Sequence, residues 1–183
     1  MIKVGLFDKI FGKKGQISEK QEVIKETEHK LNHYRDKMSG FSIEYQDLIG
    51  WAIHERTLGK LIFVNKDTKA TLVLGFIQLP NVIPDLSDPI IFRMALEDIT
   101  GSYQKLHSNF VILSTNLVTN SNNGVNGLQL VYNNKISGHL WKGRLIAFFT
   151  GNKRYDVTAF AEEESFDAMD NQFFTPVANS FTF

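Results

Sequence analysis

The chain has 183 residues, of which 43% are hydrophobic and fifteen are phenylalanine, enough for the core of one ordinary domain plus an additional segment. It contains no cysteine, which excludes disulfides, thiolate metal sites and thiol nucleophiles. Twenty basic residues balance twenty acidic ones, and this neutrality argues against a nucleic-acid-binding protein that neutralises many phosphates.

Residues 5–14 predict a short amphipathic helix. It combines an apolar face with two lysines near its end: Leu6, Phe7, Ile10, Phe11, Lys13 and Lys14. Such a helix needs a surface to lie on, which would be either a membrane interface or an apolar groove of the protein itself or of a partner. No apolar run near the N-terminus is long enough for a secretion signal or a membrane span. We therefore expect a cytoplasmic protein, with membrane-peripheral attachment as the alternative.

Residues 18–38 predict a long charged helix. Ser18 and Gln21 have the spacing of a capping box, and Gly40 would end the helix. Three apolar residues recur along it at heptad spacing: Ile24, Leu31 and Met38. The helix would lie along the domain, or it would pair with another protein or with a second copy to give a homo-oligomer. Because the composition changes near Gly40, we predict a helical extension over residues 1–40 and an α+β domain over 41–183.

The first half of the predicted domain contains three strand-like runs and one helix. The runs are rich in β-branched and aromatic residues and cover residues 41–45, 60–64 and 71–79. Asp88 and Pro89 are the residue types of a helix N-cap and first turn. Apolar residues then recur at helical spacing as far as Leu106, which predicts an amphipathic helix.

The second half predicts an antiparallel meander followed by a helix. Four runs separated by turn-forming Asn and Gly cover residues 110–119, 125–133, 139–150 and 154–161. A final helix over residues 163–180 would bury four residues at helical spacing: Phe166, Met169, Phe173 and Val177. Pro176 conflicts with this helix and predicts a bend or an earlier end. This order of elements predicts an α+β fold, in which helices flank an antiparallel sheet.

Motifs at both ends of this domain resemble the PsbP, Mog and DcrB-like superfamily. They are residues 41–45 with Gly50 and Trp51 at the start, and residues 155–161, Phe166, Phe173, Phe174, Ser180 and Phe181 at the end. The resemblance covers residues 41–183 and implies an α/β/α sandwich. Members of that superfamily act as extrinsic photosystem subunits, as a Ran-binding factor and as bacterial Eag-type chaperones that shield apolar segments of secreted effectors. The resemblance therefore implies a protein that binds another macromolecule.

Two residue groups have the composition of a metal site. His29 and His33 are spaced as neighbours on one helical face, with Glu26 as a third ligand, but the heavily charged surroundings favour an exposed polar face. Asp85 and Asp88 could bind a hard cation. Because Asp88 has a simpler role as the helix N-cap, we predict neither a metal ion nor a cofactor.

Two further groups combine the residue types of a catalytic or nucleobase-binding site. His54 and Glu55 could form a general base with its orienting carboxylate, but adjacent strand residues point to opposite faces, which favours a surface ion pair. Trp141 beside Lys142 and Arg144 could bind a nucleobase and phosphate, but the same alternation separates ring from charge. No catalytic motif is present in the sequence, and we predict neither an enzyme nor a nucleic-acid partner.

The sequence favours a non-enzymatic protein-binding domain, a chaperone or adaptor of bacterial type. It would cover an apolar partner segment with the sheet or with a groove between sheet and helix, and aromatic residues would contribute most. The candidates for these contacts are Trp51, Phe76, Trp141 and Phe148. The alternatives are a peripheral membrane protein anchored by its N-terminal helix, and a small-molecule-binding domain or undetected enzyme.

Overall fold

The computed structural model describes residues 30–106, 109–136 and 138–183, which form a two-stranded hairpin, a seven-stranded sheet and two helical segments. The hairpin comprises β1 (Leu31–Arg35) and β2 (Ser42–Gln46). The strands of the sheet are β3 (Trp51–Thr57), β4 (Lys60–Asn65), β5 (Thr71–Gln78), β6 (Val111–Thr119), β7 (Asn126–Ile136), β8 (His139–Thr150) and β9 (Lys153–Glu162). Helix α1 (Pro89–Leu106) precedes β6, and β9 is followed by α2 (Glu163–Met169), a π-helical turn (Asp170–Phe174) and α3 (Thr175–Ser180).

The strand order in the sheet is β3-β4-β5-β9-β8-β7-β6, and every neighbouring pair is antiparallel. The predicted antiparallel α+β fold is confirmed. Strands β4 to β9 and helix α1 lie close to their predicted bounds, because alternating side chains and turn-forming residues are strong local signals. Strand β3 was not predicted as a separate element, although its first residue, Trp51, was singled out.

Each face of the sheet has its own apolar core. The hairpin and the C-terminal helical segment pack on one face, which we call the hairpin face, where Leu74, Val157 and Phe174 are buried. Helix α1 packs on the opposite face, which we call the α1 face, where Ile99 and Leu130 are buried. The core beneath α1 takes its strand residues from β7 and β8, so the β3–β4–β5 side of the α1 face contributes to neither core.

The prediction of a long helix ending near Gly40 is wrong for its C-terminal part. Residues Leu31–Arg35 form strand β1, which pairs with β2. Leu31 and Met38, the proposed seam residues, are exposed, whereas Tyr34 is buried against the ring of Phe41. Packing of Tyr34 therefore overrides the local helix preference. The predicted domain boundary near Gly40 lies in the turn that joins these two paired strands.

The other N-terminal predictions lie outside the described residues. They are the amphipathic helix of residues 5–14, with Leu6, Phe7, Ile10, Phe11, Lys13 and Lys14, and the part of the long helix before residue 30. Homo-oligomerisation through that helix and attachment to a membrane surface both remain predictions. None of the helices in the described part of the chain is long and apolar enough to cross a membrane.

A buried carboxylate holds the turn between β1 and β2. Asp36 is 2% exposed, and its Oδ1 accepts hydrogen bonds from the backbone amides of Met38 and Ser39 at 3.0 and 2.7 Å and from Ser39 Oγ at 2.7 Å. Its Oδ2 accepts from the backbone amide of Gly59 at 2.9 Å and from the Tyr34 hydroxyl at 3.3 Å. Because Gly59 lies between β3 and β4, this side chain ties the hairpin to the sheet.

Pro176 is accommodated without ending the C-terminal helical segment. Directly before α3, of which Pro176 is the second residue, the helix widens into the π-helical turn. Proline cannot donate a backbone hydrogen bond and its ring crowds the preceding α-helical turn, and a π-helical turn relaxes this constraint. Phe173 and Phe174 within the turn are both buried. The predicted bend or earlier end is therefore replaced by a local widening.

The last described residues return to β2. Ser42 and Thr182 exchange two backbone hydrogen bonds of 2.8 and 2.9 Å, and the Ser180 hydroxyl accepts from the Glu44 amide at 2.9 Å. Phe181 is fully buried between these contacts. The hairpin and the C-terminal segment thus form one continuous layer over the hairpin face.

Candidate functional site

The four aromatic residues predicted to contact a partner do not lie together. Trp51 stacks on Phe173, with 4.1 Å between ring centroids, and Phe76 packs against the same core. Phe148 is a member of that core and is only 5% exposed. Trp141 differs from these three because it lies on the α1 face, outside both cores.

Trp141 lines a cavity of about 330 Å³ on the α1 face, which we call the aromatic cavity. Four strands and the C-terminal half of α1 contribute to its wall. The lining residues are Val73, Tyr103, Tyr132, Asn134, Ile136, Trp141, Thr158 and Phe160. Four of the eight are aromatic, so the cavity presents mainly ring surface to a ligand.

Two groups of aromatic rings shape this cavity. Tyr103 on α1 lies 5.5 Å from both Phe110 and Tyr132, and the rings of Phe110 and Tyr132 are 4.9 Å apart. Opposite them, Trp141 meets Phe160 edge to face at 6.0 Å. Rings that are fixed by one another lose little further freedom when they bind a ligand, so the cavity is largely pre-formed.

The absence of a side chain at Gly143 makes room for one of these rings. The strand register aligns Tyr132, Gly143 and Phe160 on β7, β8 and β9. A Cβ at Gly143 would overlap the phenol ring of Tyr132, so this ring lies directly over the glycine. Gly143 therefore allows the ring of Tyr132 to occupy its place in the wall of the aromatic cavity.

We expect Gly143→Ala to destabilise the fold by about 1–3 kcal/mol, because the Tyr132 ring must leave its position over β8. Urea unfolding followed by circular dichroism measures this loss. Gly75→Ala is the matched control, since Gly75 also lies in the sheet and nothing is within 4 Å of an added Cβ there. Equal free energies of unfolding for the two variants would contradict the expectation.

The aromatic cavity is electrically neutral. None of its eight lining residues carries a charge, and burial raises the pKa of Tyr132 well above its ordinary value. Burial also raises the pKa of Tyr103, although a hydrogen bond with Thr158 opposes the increase. Both phenols therefore keep their protons at neutral pH, and the cavity suits an uncharged apolar group.

The apolar surface continues from the aromatic cavity across the sheet. Ile62, Val64 and Val73 lie beside Phe160 on the α1 face, on strands β4, β5 and β9. These four residues, which we call the open patch, are partly exposed and belong to neither core. Val73 and Phe160 belong to both the open patch and the cavity wall, so the two surfaces are contiguous.

The acidic and histidine groups considered as metal sites have other surroundings. Asp88 caps α1 as predicted, and exposed Asp85 accepts hydrogen bonds from Ser87. His33 lies on strand β1 rather than on a helix, and its predicted neighbour His29 is outside the described residues. Within residues 30–106, 109–136 and 138–183, no group of three His, Cys, Asp or Glu side chains could hold a metal ion.

The side chains of the other two candidate groups, around His54 and around Trp141, contact different partners, as strand alternation predicts. Glu55 pairs with Lys60 at 3.0 Å, and a β-bulge at His54 interrupts the edge strand. Lys142 and Arg144 form ion pairs of 2.8 Å with aspartates of the C-terminal helical segment on the hairpin face. The basic groups and the indole ring of β8 therefore lie on opposite faces.

Sequence reasoning indicated only one ring of the aromatic cavity. The others lie on three different elements, and which side chains face each other depends on the strand register. One local signal was available: Gly143 lies two residues after Trp141, on the face of β8 whose other residues, Trp141, Leu145 and Ala147, are apolar. A glycine within a strand marks a close approach by another group, here the ring of Tyr132.

No protein-family model matches the sequence, and no curated protein matches it. Among solved structures, the solution structure of cyanobacterial PsbP (CyanoP) from Synechocystis sp. PCC 6803 is similar, with a TM-score of 0.55 and 15% sequence identity. The alignment covers 83% of this chain and 91% of that one. The PsbP-like fold predicted from the sequence is therefore confirmed.

A crystal structure of a protein from Bacteroides thetaiotaomicron VPI-5482 is also similar, with a TM-score of 0.55 and 14% identity. The alignment covers 82% of this chain but 47% of the Bacteroides protein, so the present chain spans about half of that protein's length. At these identities the two likenesses concern the fold alone.

Proposed function

We propose that the protein is a non-enzymatic binding domain, a chaperone or adaptor, that covers an apolar segment of a partner protein. The observation that carries this proposal is the aromatic cavity, which is uncharged and runs into the open patch. Clustered aromatic rings in a pre-formed cavity are typical of the sites where one anchoring side chain of a partner supplies much of the binding energy.

The extent of the apolar surface favours a peptide segment over an isolated side chain. On one side of the aromatic cavity lies the open patch, and on the other the wall residue Ile136 is 43% exposed. A segment with a Phe or Leu anchor would bury the anchor in the cavity. Its neighbouring apolar residues would lie on these flanking surfaces.

The neutrality of the site also favours binding over acid–base catalysis. A general base needs a proton affinity near the working pH, whereas burial keeps both cavity phenols protonated at neutral pH. Neutral walls also select against charged segments, because a charge moved into the cavity would lose its hydration without gaining a partner.

Tryptophan fluorescence tests the proposal directly, because the chain has two tryptophans and one of them is in the cavity. In a Trp51→Phe background, Trp141 is the single indole reporter. The probes are uncharged peptides of about ten residues with a central Phe or Leu anchor, each paired with a version carrying Ser at the anchor. We expect a blue shift of Trp141 with the anchored peptides and none with the Ser versions.

We expect Val73→Ser to weaken peptide binding about tenfold, because Val73 belongs to both the cavity and the open patch. Ile77→Ser is the matched control, because Ile77 lies on the same strand and face but outside the cavity. This variant should bind the peptides as tightly as the parent does. The same titration with cyclohexanol, which does not fluoresce, tests the small-molecule alternative, for which the cavity volume is sufficient. A response to cyclohexanol without a response to any peptide would favour that alternative, and no response to either would overturn both.

A further inference from the structure

Strand β6 forms one edge of the seven-stranded sheet and pairs only with β7 among the described strands. It is nine residues long and contains neither a charged residue nor Gly or Pro. Large apolar side chains on it are exposed: Val111 56%, Ile112 39%, Leu113 50% and Leu117 47%. Its outer backbone groups and these side chains together form an accessible apolar edge, independent of the aromatic cavity.

The sequence on both sides of β6 is also uncharged. Between Lys105 and Lys135 the sequence contains no Asp, Glu, Lys or Arg. The opposite edge of the sheet is different, because β3 carries Glu55 and Arg56 and is interrupted at His54 by a β-bulge. Charged side chains and bulges are the usual means by which proteins prevent edge strands from pairing with other chains.

The part of β6 that would accept another strand is regular. A bulge lies between Ile112 and Ser114, and from Ser114 to Thr119 six consecutive residues keep an uninterrupted register with β7. The core beneath α1 includes residues of β7 and β8 and none of β6, which agrees with the exposure of Leu117 on that face. Residues 114–119 therefore offer an unbroken strand edge, on which Val118 packs against the core of the hairpin face and Leu117 is left uncovered.

We propose that β6 pairs antiparallel with β6 of a second copy of this chain, and that residues 114–119 form the centre of the interface. An uncharged strand has no opposite charge by which to select a different partner, and it meets its own copy without like-charge repulsion. A two-fold axis perpendicular to the sheet brings identical edges together in antiparallel orientation. The seven strands of each copy then form one sheet of fourteen.

Sedimentation velocity of the full chain over a concentration series tests this interface. We expect a reversible monomer–dimer equilibrium for the parent and dimerisation at least about tenfold weaker for Leu117→Lys, since a lysine there would face its own copy across the axis. Ile53→Lys is the matched control: Ile53 is 39% exposed on the other edge strand, against 47% for Leu117, and its substitution should leave the dimer intact.

Three outcomes would overturn the proposal. They are a parent that remains monomeric at every concentration, assembly that grows beyond the dimer, and a dimer that Leu117→Lys leaves unchanged. A dimer that Leu117→Lys leaves unchanged would mean that the copies associate through another part of the chain, such as residues 1–29. Circular dichroism of each variant shows whether it is folded, and a misfolded Leu117→Lys would be replaced by Asn116→Lys on the same edge.

Cysteine substitution supplies an independent test, because the chain has no cysteine and any disulfide in a single-cysteine variant must join two copies. Opposed residues of an antiparallel pair have Cβ atoms about 4.5–5.5 Å apart, close enough for a disulfide after a small adjustment. We expect single cysteines at Ser114, Thr115, Asn116 and Leu117 to cross-link most efficiently at the position nearest the axis. Thr57→Cys on β3 should stay monomeric, and equal cross-linking there would contradict the proposal.

Discussion

Replacing Asp36 by alanine is expected to lower the free energy of unfolding by about 3–4 kcal/mol, one of the largest losses for a polar residue in this chain. The substitution leaves the buried backbone amides of Ser39 and Gly59 without their acceptor, and these groups cannot reach water without opening the turn. It also disconnects the hairpin from the β3–β4 turn. Urea unfolding at neutral pH measures the change.

Two variants control for this interpretation. Asp36→Asn keeps one acceptor oxygen and should lose less stability than Asp36→Ala. Asp85→Ala removes an exposed carboxylate that likewise accepts hydrogen bonds from the amide and hydroxyl of a nearby serine, Ser87. It should have a much smaller effect, because its donors can bond to water instead. Similar losses at Asp36 and Asp85 would show that burial of the turn is not the cause.

The stabilisation by Asp36 should depend on pH. Burial raises the pKa of Asp36, but hydrogen bonds from Ser39 and Gly59 outweigh this and hold the pKa below its ordinary value. A carboxyl group whose pKa is lower in the folded state stabilises above its unfolded pKa, about 3.9, and this contribution is lost as the pH falls through the folded pKa. The difference between the parent and Asp36→Ala should therefore shrink below about pH 4. Comparing the two proteins cancels the opposite contribution of Asp156, whose pKa burial raises.

The second large effect is expected at Phe173, where substitution by alanine should cost about 3–5 kcal/mol. Its ring is 2% exposed, stacks on Trp51 at 4.1 Å and meets Phe63 edge to face at 5.3 Å. Removing it leaves a cavity between the π-helical turn and the sheet and frees the indole of Trp51. Urea unfolding measures the loss of stability, and near-ultraviolet circular dichroism reports the freed indole.

The control for Phe173 is Ile49→Ala, because the side chain of Ile49 is fully exposed and its truncation should change stability by less than about 0.5 kcal/mol. Phe173→Leu preserves most of the buried volume and should lie between the two. A loss below about 1 kcal/mol for Phe173→Ala would mean that the helical segment does not depend on this contact.

The parts of the fold that sequence could predict are those with a local signal. Strands β7 to β9 alternate and are separated by Asn and Gly turns, and Asp88 with Pro89 marks the start of α1. Strand β1 has the opposite local signal, since Leu31 and Met38 continue a heptad in a charged segment. It is a strand because Tyr34 is buried and the carboxylate of Asp36 closes the turn. Tyr34 packs on Phe41 only after the chain has reversed direction, and Asp36 accepts a hydrogen bond from Gly59, which is distant in sequence.

The candidate site was less predictable than the fold for a similar reason. Trp51, Phe76 and Phe148 are aromatic residues in strands, as Trp141 is, and composition cannot distinguish a ring that fills a core from one that lines a cavity. The distinction depends on which face each ring occupies and on where α1 ends over the sheet. Only the three-dimensional register aligns Tyr132 with Gly143 and Phe160 and places Trp141 beside Asn134 on the same face.

The backbone bridge between Ser42 and Thr182 has a consequence for how the chain folds as it leaves the ribosome. The hairpin is synthesised early, yet the segment it packs against emerges some 140 residues later. Strand β5 likewise finds β9 only after the whole meander has been made. Contacts so distant in sequence have a high loop-closure cost and slow folding, so the native sheet should assemble after translation of these elements rather than during it. Until β9 is available, the apolar strands β4 and β5 have one face and one edge unprotected. During this time chaperones that bind nascent chains should bind these two strands.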